Sequence, residues 1–229
     1  MRRAHPPAAG GAGVSAPRVV LATRNAGKIA ELRRILADAS VPVEIVGLEE
    51  FPEIGDVAET GLTFAENALL KAHAVARQSG LPAIADDSGL CVDALNGMPG
   101  IFSARWSGRH GDDPANLALL LAQVSDVPGG HRGAHFACAA ALALPSGHER
   151  VTEGALHGVI VDAPRGTNGF GYDPIFVPEG ESRTTAELSA AEKDAISHRG
   201  RAFRALVPIL AEEIVRPAGR DRGDHPPRT

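Results

Sequence analysis

Residues 18–37 read RVVLATRNAGKIAELRRILA and decide the class of the fold. The first six of these residues form a short apolar run that closes on polar residues, which is typical of a buried strand. A polar turn follows, and residues 28–37 then bring apolar side chains to one face of a predicted helix. The apolar positions are Ile29, Leu32, Ile35 and Leu36. The sequence therefore predicts that the fold begins with a strand, a turn and a helix.

Both patterns recur downstream. The spacing within 63–79 predicts a helix that begins with a capping box at Thr63 and Glu66 and ends at Gly80. The long apolar run 132–144 predicts a central buried strand. Together these patterns predict an α/β fold with a mixed β-sheet flanked by helices. The other predicted strands are 43–48, 82–85, 90–95, 151–161 and 174–177, and the other predicted helices are 114–124 and 190–214.

Composition predicts one compact domain over residues 18–215, with disordered tails at 1–17 and 216–229. No apolar run approaches the roughly 20 residues of a membrane span, and the start of the chain lacks the pattern of a secretory signal. We therefore expect a cytoplasmic protein with no membrane partner. The net charge of −5 argues against a general nucleic-acid surface. Cys91 and Cys138 lie in apolar segments, which favours buried reduced thiols over a disulfide or a metal site.

A polar turn joins the first predicted strand to the first predicted helix. Free backbone N–H groups and the dipole at the start of a helix favour an anion, so the turn predicts a phosphate site. It is not a Walker P-loop, because Ala22 stands where the first Gly belongs and Ile29 where the magnesium-binding Ser or Thr belongs. A plain turn with a solvated lysine is the alternative. The turn comprises Thr23, Arg24, Asn25, Ala26, Gly27 and Lys28.

A second polar cluster, residues 59–71, runs from an acidic loop into the helix predicted from Thr63. It begins at Glu59. Asn67 and Lys71 are one helical turn apart and share a face that can look into a cleft. An ordinary capped helix with a polar side is the alternative.

Two adjacent carboxylates form the third cluster. Asp86 and Asp87 precede Ser88 and Gly89, directly after the predicted strand 82–85. Open α/β sheets usually bind ligands at such strand ends. Carboxylates at that position can supply oxygen ligands to Mg²⁺ and a base for water. An Asx turn without chemistry is the alternative.

The fourth cluster is an aromatic residue flanked by glycines, Gly169-Phe170-Gly171-Tyr172-Asp173, just before a predicted strand. Glycines let the backbone approach a flat ligand, and a phenylalanine ring can stack on a nucleobase. The chain has only 4% aromatic residues, so this loop stands out as a candidate base-binding loop. A turn with a core phenylalanine is the alternative.

Lys193 and the run Ser197-His198-Arg199-Gly200 form the fifth cluster, within the predicted helical segment 190–214. Any polyanion that the chain binds must meet a local cluster of cations, and Lys193 and Arg199 supply two. The alternative is a helix start in which Ser197 is the N-cap and the cations are solvated.

Taken in order, these clusters resemble the inosine/xanthosine triphosphate pyrophosphatase family, also described as dITP/XTP pyrophosphatases. The resemblance covers residues 19–210. It rests on six motifs: Thr-x-Asn-x-x-Lys, Glu-Thr-Gly-x-Thr-Phe-x-Glu-Asn-Ala, Ala-Asp-Asp-Ser-Gly-Leu, Gly-x-Pro-Gly-Ile-x-Ser-Ala-Arg, Gly-Phe-Gly-Tyr-Asp-Pro-Ile-Phe and Ser-His-Arg-Gly. Arg24 occupies a position where the family often has Gly, and both tails are longer than the family needs.

The resemblance implies an elongated fold of two lobes around a substrate cleft, a homodimer, and Mg²⁺-dependent cleavage of deaminated purine nucleoside triphosphates. Asp87 is implied as general base and metal-linked carboxylate, and Glu59 as second metal ligand, with Asp86 in reserve. Residues 23–28 would hold the triphosphate with Lys71 and Lys193. Ser88 would touch phosphate or ribose, Phe170 would stack on the purine, and Gly171, Tyr172, Asp173, His198 and Arg199 would recognise its edge.

Two other functions stay open on the sequence. One is a pyrophosphatase for modified or pyrimidine nucleotides on a related fold. The other is a nucleotide-binding protein without catalysis, which would explain the phosphate turn and the stacking loop but not the adjacent carboxylates Asp86 and Asp87.

Overall fold

The computed structural model describes residues 16–215, which form a six-stranded sheet flanked by five α-helices. This architecture confirms the α/β class with a mixed sheet. The predicted tails lie outside the described residues, apart from 16 and 17. The strands are β1 (Arg18–Leu21), β2 (Glu44–Val46), β3 (Ala83–Val92), β4 (Gly133–Ala143), β5 (Glu149–Ile160) and β6 (Phe176–Pro178). The helices are α1 (Ala26–Asp38), α2 (Phe64–Ser79), α3 (Asp113–Gln123), α4 (Ala190–Ile196) and α5 (His198–Leu210).

The sheet has the strand order β2-β1-β3-β4-β5-β6. β1 is parallel to β2 and β3, and the remaining neighbours are antiparallel. Successive side chains of a strand point to opposite faces. Val19 and Leu21 therefore pack with α1 and α5 on one face, while Val20 packs with α2 on the other. Each face of this end of the sheet carries its own apolar core.

A third apolar core lies at the other end of the sheet, where β3, β4 and β5 extend beyond these helices. Its buried members include Leu90, Leu120, Phe136, Leu156 and Phe176. It brings together the far halves of the three strands, α3 and β6. The sheet thus carries one group of elements at each end, and the cleft between the two groups contains the candidate site.

Residues 86–89, expected at the end of a short strand, lie inside β3 instead. The strand runs without a break from Ala83 to Val92, and each of its residues pairs with one of β4. The long apolar β4 supplies a partner along this whole length, so tertiary pairing overrides the turn propensity of Asp-Asp-Ser-Gly.

Other sequence expectations have mixed outcomes. The helical segment 190–214 is interrupted at Ser197, which is the N-cap of α5. Cys91 and Cys138 are free and buried, as predicted. Within residues 16–215, no helix combines the length and the apolar character needed to cross a membrane.

Candidate active site

Asp86 and Asp87 point to opposite faces of β3. Asp86 lies on the face that packs against α1 and α5, where Lys28 Nζ contacts its two oxygens at 2.8 and 3.0 Å and Arg199 Nε lies at 3.0 Å. Asp87 lies on the α2 face, where its carboxylate accepts a hydrogen bond from Asn67 Nδ2 at 3.0 Å. The two carboxylates therefore have different partners and different chemistry.

Asp86 is a buried, fully paired anion, with 5% of its surface exposed. Burial alone would raise the pKa of Asp86, but Lys28 and Arg199 lower it below its ordinary value of 3.8. A carboxylate with a lowered pKa is a weak base. Asp86 is therefore suited to hold the two cations in the cleft rather than to accept a proton.

Asp87 has a raised pKa. Burial is the main cause, the ammonium of Lys71 opposes it, and the carboxylate of Glu59 adds to it. Lys71 Nζ lies 2.7 Å from Glu59 Oε1 and 3.8 Å from Asp87 Oδ1, so the lysine stands between the two acids. Arg105 approaches Glu59 from the other side at 3.8 Å. A raised pKa brings Asp87 closer to the range that suits a general base.

The acids Asp87 and Glu59 fit Mg²⁺ as a partial ligand set. Among residues 16–215, no three His, Cys, Asp or Glu side chains converge to hold a metal ion. Mg²⁺ is commonly bound through one or two carboxylates, water and the phosphates of a substrate. Asp87 and Glu59 would be the two carboxylates that hold such an ion, and a bound triphosphate would supply further oxygen ligands.

The predicted phosphate turn is closed by Asn25, which caps α1. Its side-chain oxygen accepts hydrogen bonds from the backbone N–H groups of Gly27 at 2.9 Å and Lys28 at 3.3 Å, while Thr23 Oγ1 accepts one from the N–H of Asn25. Arg24 bonds instead to the carbonyl of Ile54 and pairs with an aspartate of the same loop. The structure thus directs Lys28 towards Asp86 and engages Arg24 with the 54–56 loop.

The glycine-flanked loop presents the ring of Phe170, which is 63% exposed. Buried Asp173 shapes the loop by accepting hydrogen bonds from the N–H of Phe170 and from Thr185 Oγ1, each at 2.8 Å. Lys193 pairs with Asp173, and its ammonium lies 5.0 Å from the centroid of the Phe170 ring. Lys193, expected with the phosphate-binding cations, therefore belongs to this loop in the structure.

Contacts from two distant segments, the start of α3 and the short helical turn Gly100–Arg105, also reach the loop. The N–H of Gly171 donates to Asp113 Oδ2 at 2.9 Å, and the hydroxyl of Tyr172 donates to the carbonyl of Ser103 at 2.9 Å. Sequence reasoning did not single out Asp113, which belongs to no recognised motif. Its position at the start of a predicted helix was the only signal in the sequence.

His198 and Arg199 begin α5 and turn into the cleft. The imidazole of His198 stacks on Phe136 at a centroid distance of 5.0 Å. Burial, with Arg199 and Lys193 nearby, lowers the pKa of His198 to about 3, so the ring is neutral at pH 7. Arg199 also donates to Ser88 Oγ at 3.2 Å. Glu31 of α1, another residue missed in the sequence, accepts a hydrogen bond from the N-cap Ser197, and burial raises its pKa.

Some of these groups line a cleft of about 800 Å³ on the α1 and α5 side of β3, a volume typical of sites for small ligands. Its two ends differ in chemistry, with the α1 turn at one end and the Phe170 loop at the other. Asp87, Glu59 and Lys71 lie on the α2 side of β3, across the strand from Asp86. Predicted residues that do not line the cleft are Thr23, Arg24, Ala26, Glu59, Lys71 and Asp87. Predicted residues that line the cleft are Asn25, Gly27, Lys28, Ser88, Phe170, Gly171, Tyr172, Asp173, Lys193, His198 and Arg199.

The family model of the Ham1 family matches residues 19–209. The chain belongs to the Ham1 family. This Ham1 chain is 72% identical over 195 residues to the dITP/XTP pyrophosphatase of Streptomyces coelicolor, a match that covers 85% of the chain and 98% of the relative. It is 60% identical over 195 residues to the dITP/XTP pyrophosphatase of Nocardia farcinica, covering 85% and 95%.

Solved structures of other Ham1 proteins share the fold. The nucleoside-triphosphatase / dITP/XTP pyrophosphatase of Mycobacterium abscessus aligns with a TM-score of 0.71 at 57% identity, covering 83% of this chain and 99% of that one. A HAM1 protein from Coxiella burnetii aligns with a TM-score of 0.79 at 42% identity, covering 86% and 99%. The family resemblance read from the six motifs is confirmed.

Proposed function

We propose that this chain hydrolyses deaminated purine nucleoside triphosphates (ITP, dITP and XTP) to the monophosphate and pyrophosphate, with Mg²⁺. The observation that carries the proposal is the cleft of about 800 Å³ with cations at one end and an exposed aromatic ring at the other, on a strand whose opposite face carries Asp87 beside Lys71 and Glu59. The high identity to relatives named dITP/XTP pyrophosphatases supports it.

At the phosphate end of the cleft, Lys28 and Arg199 offset the charge of the triphosphate, which otherwise repels an attacking nucleophile. Lys71 adds a third cation on the α2 side of β3, beside Asp87 and Glu59. Asp87 takes a proton from a water molecule that attacks in line. The bond between the α and β phosphates breaks, and pyrophosphate leaves. Mg²⁺ held by Asp87 and Glu59 would supply further positive charge at the phosphates.

At the base end, Phe170 stacks on the purine, a contact of about 1 to 3 kcal/mol. Lys193 lies on the ring of Phe170 and pairs with Asp173, so we place its role at the base rather than at the phosphates. Neutral His198 offers one donor and one acceptor to the base edge. Arg199 has five N–H donors, and its contacts with Asp86 and Ser88 leave others for the ligand.

A panel of nucleotides with Mg²⁺, in which released pyrophosphate is distinguished from orthophosphate, tests the proposal. We expect ITP, dITP and XTP well above GTP, with ATP low, and pyrophosphate as the first product. Orthophosphate as the first product would contradict the cleavage position. Hydrolysis of dUTP or modified pyrimidine nucleotides with no hydrolysis of ITP would instead indicate a pyrophosphatase for modified or pyrimidine nucleotides. Binding of ITP without turnover would indicate a nucleotide-binding protein without catalysis.

We also propose that the chain acts as a homodimer in the cytoplasm, without nucleic-acid or membrane partners. On the α2 face, beyond the start of α2, β4 and β5 carry a cavity of about 380 Å³ in which Phe64, Ala137 and Ala155 lie beside the polar His135 and Glu153. Val159 of β5 adds an apolar side chain that is 43% exposed. Apolar surface of this kind is common at subunit interfaces. Light scattering during size-exclusion chromatography measures the oligomeric state directly, and a monomer would contradict the proposal.

A further inference from the structure

The orientation of Phe170 depends on the backbone of its loop. The ring is 63% exposed, so packing alone leaves it room to turn. Gly169 and Gly171 flank it with φ of 75° and 60°, in the left-handed region that glycine adopts without strain. A loop with two such glycines has many conformations open to it, so hydrogen bonds to its backbone decide which one it takes.

One of these hydrogen bonds comes from outside the loop. Asp113 Oδ2 accepts the N–H of Gly171 at 2.9 Å across a separation of 58 positions. This bond has an ionised acceptor, and such bonds are stronger than neutral ones. Its neighbour along the loop, the N–H of Phe170, is held from within by Asp173. The backbone N–H groups of Phe170 and Gly171 thus donate to two different carboxylates, Asp173 for the first and Asp113 for the second.

Asp113 itself belongs to a firmly anchored element. It is the first residue of α3, and Asn116 one turn later is 1% exposed. Asn116 accepts a hydrogen bond from the N–H of Ser107 at 2.7 Å and donates one to the carbonyl of Ala104 at 3.2 Å. A carboxylate on a fixed helix start can hold a flexible loop in a defined position.

We propose that Asp113 is a positioning residue for purine binding, which holds Phe170 in its stacking orientation through the N–H of Gly171. The inference rests on the proposed function. Asp113 lines the base end of the cleft and has no direct contact with Lys28, Asp87 or Glu59. Its removal therefore weakens recognition of the base and leaves recognition of the phosphate chain intact.

Asp113→Ala removes the acceptor, whereas Asp113→Asn keeps a carbonyl oxygen that can accept from Gly171. We expect Asp113→Ala to raise the KM for ITP about tenfold, the effect of one charge-assisted hydrogen bond, with kcat little changed. Tripolyphosphate, a probe without a base, should inhibit the variant and the wild type equally. Asp113→Asn should restore most of the affinity. Asp112→Ala is the matched control, because it removes the N-cap of α3 and touches no atom of the loop.

Calorimetric binding of IMP separates this inference from the proposed function, because it requires no turnover. A wild type that fails to hydrolyse ITP overturns the proposed function. Unchanged IMP affinity in Asp113→Ala, or an equal loss for IMP and tripolyphosphate, overturns the positioning role. So does an Asp113→Asn variant as weak as Asp113→Ala. If Asp113→Ala does not fold, Asp113→Ser gives the same comparison, since serine is common at helix starts and is shorter than aspartate.

Discussion

Asp86 and Asp87 are neighbours in β3, yet their carboxylates lie on opposite sides of the sheet, one paired with Lys28 and Arg199 and the other beside Asn67. The first environment lowers the pKa and the second raises it. Two acids whose pKa values are pushed apart by their surroundings take different roles. We therefore propose Asp87 as the base and Asp86 as the residue that arranges the cations.

Replacement of Asp87 by Asn should keep the fold and nucleotide binding but lower turnover at least about 10²-fold, as removal of a general base typically does. Steady-state rates with ITP and the thermal unfolding midpoint, measured on the same preparation, check both parts. Near-normal turnover would reject Asp87 as the base and reopen the assignment.

Asp86→Asn should instead destabilise the protein. Its removal leaves Lys28 and Arg199 without their shared anion, and breaking a buried ion pair typically costs about 3 to 5 kcal/mol. We expect the lower end of that range, because the side chain of Lys28 keeps 24% of its exposure. Urea denaturation measures the loss. The control is Asp56→Asn, which breaks an exposed pair with Arg24 and should change the free energy of unfolding by less than about 1 kcal/mol.

The stability of the protein should fall below pH 6.5 because of His198. The pKa of His198 is lowered from its ordinary value of 6.5 to about 3 in the folded chain. Between pH 6.5 and pH 3 the imidazole is therefore protonated in the unfolded chain and neutral in the folded chain. The free energy of unfolding should decrease by about 2 kcal/mol from pH 7 to pH 5 on this account. His198→Gln should remove that dependence, and His110→Gln, at an exposed position, should keep it. Equal pH profiles for wild type and His198→Gln would contradict the assignment.

The sequence carried most of the fold because its periodicities are local. The pattern of 28–37 became α1, the capped segment after Thr63 became α2, and the long apolar run 132–144 became β4. Residues 86–89 show where local reasoning fails. Their turn propensity was correct in isolation, but the partner strand that overrides it is about 50 positions away, as in the pair Asp86 and Ala140.

Site residues could be predicted where they belong to a sequence motif. They could not be predicted where their role depends on a contact with a residue far away in the sequence. The motifs identified Lys28, Ser88 and Phe170, all of which line the cleft. The family resemblance grouped Lys193 with the phosphate-binding cations, and only the folded chain shows its pairing with Asp173. Asp113 escaped notice because its function depends on a contact with a loop 58 positions away.

Variants of Lys28 and Lys193 should distinguish the phosphate-binding end of the cleft from its base-binding end. Lys28→Ala should weaken binding of ITP far more than binding of IMP, because the ammonium of Lys28 faces the phosphate end of the cleft beside Asp86. Lys193→Ala should weaken binding of ITP and binding of IMP about equally, because the ammonium of Lys193 lies over the ring of Phe170. Each loss should be about tenfold, as for one charged contact. Calorimetric titration of both ligands measures it, and a triphosphate-specific loss in Lys193→Ala would return that lysine to the phosphate chain.

Selectivity should depend on hydrogen bonding at purine position 6, where deaminated bases differ from adenine. Hypoxanthine and xanthine present a carbonyl acceptor there, whereas adenine presents an amino donor. If Arg199 points a free N–H at that position, adenine leaves a buried donor unpaired. The adenine amino group then faces another donor and is unpaired as well. Each unsatisfied group costs about 1 to 3 kcal/mol, so these two groups together give on the order of 10² to 10⁴ in discrimination between the deaminated bases and adenine.

Arg199→Ala should therefore reduce turnover of ITP by a larger factor than the small turnover of ATP, which narrows the ratio between the two rates. The ratio is the informative quantity, because loss of the contacts with Asp86 and Ser88 lowers both rates through the phosphate end. Arg199→Lys is the matched control: it keeps a cation for Asp86 but lacks the planar set of donors, so its ratio should narrow as well. If the ratio in both variants stays at the wild-type value, Arg199 does not read the base, and that role passes to the backbone between Phe170 and Asp173.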